Sequence, residues 1–273
     1  MSSRRCRLFT LLALALTSGP AAAGFITFSA SGLNAATITP TVNAFRTAVG
    51  APNNVNTPGP LPSGRREINW DGGGAATTSS PTPFNGFQNI RGASFSTPGT
   101  GFLQATPTGL DTFFGRGDAL YDTIFEPFSA QRVFTPVGST ITDATFFIPG
   151  SGGTVPATVS AFGVIFSDVN SEDVTSLQLF DEDGDSLGSF FAPGISGTQT
   201  FSFLGLQANA GERIGRVRIT SGNVALNATS DALDQVVMDD FIFAEPAKIP
   251  EPATVLLMAV ALAGLLLTRK HNA

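Results

Sequence analysis

From residue 119 onward the chain repeats one pattern: a short β-forming run, a cluster of turn residues, then another run. The runs are 133–134, 141–148, 157–166, 174–180, 186–191, 199–204, 214–220 and 235–243. Strands of this length and spacing pair antiparallel and pack face to face. Pro136, Pro149, Pro156, Pro193 and Pro246 fall between runs or at their edges, where a missing N–H breaks no ladder. The 24 phenylalanines supply apolar area with no polar atom to satisfy. The expectation is an all-β fold: an antiparallel β-sandwich of the jelly-roll kind over residues 119–246, with an up-and-down barrel as the alternative closure.

Residues 24–118 read differently. Phe25-Ile26-Thr27-Phe28 is a strand, and one short N-terminal helix follows. Thr39 can cap that helix, Pro40 suits its first turn, Val42, Phe45 and Val49 share a face, and Gly50 ends it. Residues 51–101 are rich in Gly, Pro, Asn, Ser and Thr, yet Ile68, Trp70, Phe84, Phe87, Ile90 and Phe95 recur too often for a solvated coil. They predict long ordered loops packed on the sandwich.

Both ends of the chain look like addresses. Arg4, Arg5 and Arg7, an apolar stretch over 8–16 and Ala21-Ala22-Ala23 form a secretory signal peptide over residues 1–23, with Gly24 as the first residue after cleavage. At the other end, Pro250-Glu251-Pro252 precedes an apolar block over 253–267 and a basic cluster with Arg269 and Lys270. As a helix the fifteen apolar residues span about 22 Å, short of the ~30 Å hydrocarbon core unless Thr268 and the flanks complete a transmembrane helix over 253–268. The basic cluster would stay cytoplasmic.

This arrangement over residues 247–273 resembles the PEP-CTERM sorting signal of exported bacterial proteins. The resemblance implies processing by an exosortase-type membrane enzyme near Pro250, Glu251 and Pro252. It further implies export through the inner membrane, transient anchoring by the C-terminal helix, and a final place at the cell surface or outside the cell. Ile249 stands where a smaller aliphatic is usual. The body from 64 to 246 also resembles exported proteins with the same tail, a likeness that implies no activity.

Removing both ends changes the inventory. Five of the fifteen basic residues go, leaving ten against twenty-one acids, a net charge near −11. Such a surface repels nucleic acid and anionic headgroups, so no nucleic-acid partner is expected. Cys6 and His271, the only cysteine and histidine, go as well. That excludes disulfides, Ser-His-Asp and Cys-His catalysis and His-ligated zinc.

Three places carry candidate chemistry. In the 64–74 segment, Trp70 can stack on a sugar with Asp71 and Glu67 as polar contacts, and Tyr121, the only tyrosine, joins Trp70 and Asp71 as a ligand candidate. The plainer reading is a strand ending in a glycine turn, with Trp70 in the core and Arg65 or Arg66 paired with acids. Asp181-Glu182-Asp183-Gly184-Asp185 lacks the glycine and glutamate positions of an EF-hand and reads as a hairpin turn. In 236–243, alternation sends Val236, Met238, Asp240 and Ile242 to one face and Val237, Asp239, Phe241 and Phe243 to the other, so one carboxylate points into the core. It must meet a cation, meet a set of N–H donors, or be protonated; the suppliers on offer are Arg216 or Arg218, or a structural Ca²⁺ shared by Asp239 and Asp240 with Asp168 or Glu245.

No catalytic residues are assigned, and the expected function is a non-enzymatic surface or matrix protein associated with extracellular polysaccharide. A carbohydrate-binding module is the first alternative. A glycoside hydrolase using two carboxylates drawn from Glu67, Glu126, Glu172, Glu182, Glu212 and Glu245 is the second.

Overall fold

The β-forming runs pair into two antiparallel sheets packed face to face. The structure is a computed structural model that describes residues 24–116, 120–227 and 234–250. The signal-peptide reading (1–23), the residues after Pro250 and the expected transmembrane helix lie outside the described residues. Among those described, no helix is long and apolar enough to cross a membrane.

The chain opens with β1 (Phe25–Gly32) and helix α1 (Ala35–Val49). Then come β2 (Arg65–Ile68), a 3₁₀ turn (Asp71–Gly73), β3 (Thr78–Ser80), α2 (Gln88–Arg91), β4 (Ala93–Ser96) and β5 (Gly101–Ala105). Helices α3 (Pro107–Phe114) and α4 (Leu120–Ile124) lead into β6 (Val133–Val137), β7 (Ile141–Phe147), β8 (Pro156–Thr158) and β9 (Ala161–Ser167). The hairpin β10 (Ser176–Phe180) and β11 (Ser186–Phe191) precedes β12 (Phe201–Ala208), β13 (Arg216–Thr220), β14 (Val237–Ala244) and β15 (Ala247–Lys248).

The first sheet runs β1-β12-β9-β14-β6-β5-β3, with β2 also on β14. The second runs β11-β10-β13-β7-β8-β15, with β4 also on β7. The 24–118 part therefore supplies strands to both sheets as well as loops. The 157–166 run divides, its start joining the second sheet as β8 and its remainder the first as β9.

Helix α1 starts earlier than its sequence suggests. Asn34, extended, accepts from the Thr37 N–H at 3.1 Å and caps it, while Thr39 turns its hydroxyl back onto the Ala35 carbonyl at 2.7 Å. Pro40 therefore lies inside the helix and Gly50 ends it at φ 114°. Phe45 settles on Gly163 and Gly205, where an added Cβ would lie 2.7 and 2.8 Å from its ring. The two glycines form the flat seat that docks α1 on the outer face of the first sheet.

That sheet is covered on both faces. Phe102 and Phe134 face the main core between the sheets, whereas Leu103 and Val133, their neighbours in sequence, join a second cluster with Tyr121 and Phe125 under α3 and α4. The second sheet keeps one wet face, and β7, β10 and β13 alternate buried and half-exposed residues.

Candidate functional site

The site grows from an interruption in β14. Met238 pairs with Phe166 and Phe241 with Val164, so Asp239 and Asp240 together oppose Ile165 alone. This one-residue bulge puts Met238, Phe241 and Phe243 on one face and breaks the strict alternation expected for 236–243. On the other edge of β14, β2 and β6 lie end to end, with β2 pairing residues 241–244 and β6 pairing Met238. Side chains fill the gap between them. Trp70 Nε1 donates to the Asp239 carbonyl at 3.0 Å, and the indole stacks on Phe134 with centroids 3.7 Å apart.

Both carboxylates of the bulge are buried. Asp239 Oδ2 accepts from the N–H groups of Phe128 (2.6 Å) and Ser129 (3.1 Å). The Ser129 hydroxyl reaches Asp240 Oδ1 at 2.7 Å and Asp71 Oδ2 at 3.1 Å, and Arg46 donates to Asp240 Oδ2 at 3.2 Å. Burial and then the adjacent Asp240 charge push the Asp239 carboxyl well above its ordinary range. Burial raises Asp240 too, opposed by the Ser129 and Asp239 hydrogen bonds and the Arg46 charge.

Asp239 thus meets a pair of N–H donors and Asp240 meets Arg46, whereas Arg216 and Arg218 pair with Asp143 on the wet face of the second sheet. Asp168 and Glu245, the other two metal candidates, have separate partners. Glu245 holds Arg66, and Asp168 accepts from Asn170 Nδ2 at 3.0 Å. Among the described residues no group of three or more acids is placed to hold a metal ion. The 181–185 turn closes the β10–β11 hairpin, Asp181 Oδ1 accepting from the N–H groups of Asp183 and Asp185.

Trp70 and Tyr121 do not present themselves as platforms. Trp70 is 1% exposed and Tyr121 fully buried, its hydroxyl accepting from the Asn227 N–H. Asp71 is spent on Ser129 and on the Arg132 N–H, which it accepts at 2.9 Å. The 64–74 segment is nonetheless the centre of the site, because two clefts flank it.

One cleft, of about 310 Å³, is lined by Arg46, Glu67, Asn69, Arg91, Ser129 and Asp240. Arg46 bridges its two carboxylates, reaching Glu67 at 2.8 Å, and Arg65 holds the other Glu67 oxygen at 2.6 Å. The second, of about 400 Å³, lies beyond the 3₁₀ turn and shares Asn69 and Arg91; Arg132 lines it. Burial lowers the Arg132 guanidinium below its usual value, against the opposing Asp71 charge. Burial and then the Arg66 charge lower Arg91, against Glu67.

Arg46, Arg91, Ser129 and Arg132 were not candidates from sequence. Only Arg46 carried a signal: four residues after the buried Val42, it sits at the edge of the apolar face of α1.

Residues 248–270 match the PEP-CTERM protein-sorting motif. The chain carries the sorting signal of an exported, exosortase-sorted surface protein, and the motif implies processing by an exosortase-type enzyme. Lys248 and Pro250, where the motif begins, are exposed beside the edge strand β15. No curated protein and no solved structure matches the chain.

Proposed function

We propose that the β-sandwich is a non-catalytic matrix or cell-surface protein that associates with extracellular polysaccharide through the clefts beside β2. The observation that carries this reading is the state of the cleft carboxylates. Glu67 has both oxygens engaged by arginines, and Asp240 is held by Ser129 and Arg46. A glycosidase needs one carboxyl free to give a proton and another free to attack or to activate water. Carboxylates fixed by partners, beside amides and guanidinium groups, suit hydrogen bonding to sugar hydroxyls instead. Glu126 and Glu172 are exposed on loops away from this cleft, and Glu245 is consumed by Arg66.

The test is co-sedimentation of the exported protein with the polysaccharide of its own cells. Association that disappears in cells unable to make the polymer supports the reading. Free protein in both strains sinks it. Reducing ends released from that polymer and abolished by Glu67→Gln or Asp240→Asn would transfer the site to the hydrolase reading.

A further inference from the structure

We propose that the pocket in front of Arg132 binds the carboxylate of an acidic sugar, a uronic acid unit. The argument starts from an unmet demand. Arg132 is 2% exposed, and among the described residues its guanidinium makes one hydrogen bond, from Nη2 to the Gln104 carbonyl at 2.9 Å. Its Nε is buried without a partner, and among the described residues no acid forms an ion pair with it. A guanidinium carries five donors and keeps its charge in proteins, so leaving it desolvated and unpaired is costly. Asp71, whose charge acts on it, has its oxygens taken by the Arg132 main-chain N–H and the Ser129 hydroxyl.

The demand faces an opening. Arg132 lines the ~400 Å³ pocket together with Arg91, which also makes no ion pair among the described residues and donates to Asn56 Oδ1 and the Glu67 carbonyl. The wall is kept thin by Gly72 and Gly73. A Cβ on Gly73 would lie 2.0 Å from Arg132 Nη1, whereas one on Gly72 would meet nothing within 4 Å. Nε lies out of solvent's reach, so the donors left for a ligand are those of Nη1 and the second hydrogen of Nη2, a planar pair that matches a carboxylate's two oxygens.

The rest of the lining selects a sugar over a bare anion. Phe84 and Phe87, both half-buried, offer apolar surface for a pyranose face, while Thr78, Ser80 and Asn69 offer hydrogen bonds for its hydroxyls. The choice of a sugar rests on the polysaccharide reading above; the demand for an anion does not. The chain's negative net charge leaves this as a local, enclosed exception on an acidic body.

The experiment is calorimetric titration of the purified full chain with glucuronic acid, glucose and acetate. Saturable binding of glucuronic acid, absent for glucose and much weaker for acetate, is expected. Arg132→Met should weaken it at least about tenfold, since a charge-assisted bidentate contact is lost. Gly72→Leu should do the same by filling the mouth of the pocket, and it touches no buried charge. No glucuronic acid binding, equal binding of glucose, or binding untouched by Gly72→Leu overturns the proposal. Acetate competing as well as glucuronic acid overturns the sugar assignment. Glucuronic acid binding together with failed co-sedimentation would sink the matrix role and leave this site standing; the converse would sink this site alone.

Discussion

Two buried arginines, Arg66 within the 64–74 segment and Arg132 against its glycine turn, are treated in opposite ways by the protein. Arg66 is fully buried, and every arm of it is used. Nε and Nη2 grip Glu245 at 2.7 and 2.8 Å, and Nη1 reaches the Val55 carbonyl at 2.7 Å and that of Ile90 at 3.2 Å. Glu245 in turn takes Asn54 Nδ2 at 2.9 Å and the Leu61 N–H at 3.2 Å. This closed network pins the 54–61 loop to the end of β14. Arg132, among the described residues, has one carbonyl and a pocket. The difference separates a charge whose donors are consumed in holding the fold together from one left with donors to spare.

The largest effect should follow from opening the closed network. Arg66→Met leaves Glu245 buried without its cation, and breaking such a pair costs about 3–5 kcal/mol. Urea denaturation should show the midpoint falling with little change in slope. A cost below about 1 kcal/mol would place Arg66 with the surface pairs and dissolve the contrast.

The same contrast recurs among the carboxylates, and it is sharpened by pH. Among the described residues Glu245 has four donors, whereas Asp168, 5% exposed, receives one from Asn170 and keeps Oδ1 buried without a partner. Burial, then the Asp234 charge, against the Asn170 hydrogen bond, raises the Asp168 carboxyl from 3.8 to about 7. The folded protein therefore holds this proton where the unfolded chain has released it. Its contribution to stability is complete below about pH 4 and is lost as pH rises to about 7, a few kcal/mol in all. Asp168→Asn removes that slope, and asparagine tolerates the positive φ of 69°. Its melting temperature should match the native protein's near pH 4, fall progressively less than the native protein's as pH rises, and exceed it near pH 8. Parallel curves would mean that Asp168 is ionised throughout.

How much of this was legible beforehand depended on which sheet a residue joined. β7, β10 and β13 alternate because one face of the second sheet is wet, and their runs read directly as strands. β9 and β14 are buried along their whole length, because α1, α3 and α4 cover the outer face of the first sheet. A strand buried on both faces carries no period by which to assign a face. The bulge at Asp239 and Asp240 is equally silent: it arises from where β2 and β6 leave β14 unpaired, a long-range arrangement. The 64–74 segment was legible as special through its density of charge, aromatic and glycine, and both clefts do border it. Its Trp70, however, serves as a core plug and a cap for the Asp239 carbonyl. Arg132 sits between Gln131 and the first residue of β6, and nothing local announces its burial.

A smaller effect is expected on the wet face. Arg218 grips Asp143 with two bonds of 2.9 and 2.8 Å, geometry as good as that of Arg66, but its side chain is 42% exposed. Water competes for both partners there, so Arg218→Ala should cost at most about 1 kcal/mol, and less in high salt. Similar hydrogen-bond lengths would then give very different stabilities, with solvent access as the cause.

The smallest effect is the most telling. Arg132→Met removes one hydrogen bond, worth about 1 kcal/mol, together with the desolvation of a cation that no described acid neutralises. Methionine can follow the path of the arginine stem beside Gln104 and Gly73, so little packing need be lost. The two terms oppose each other, and chemical denaturation should find the variant within about 1 kcal/mol of the native protein, on either side. A loss as large as that of Arg66→Met would show that Arg132 is held by the fold for the fold's sake, and the two arginines would then teach the same lesson. A variant that folds as stably as the native protein, yet no longer takes glucuronic acid, would show that this buried charge is kept for what enters the pocket.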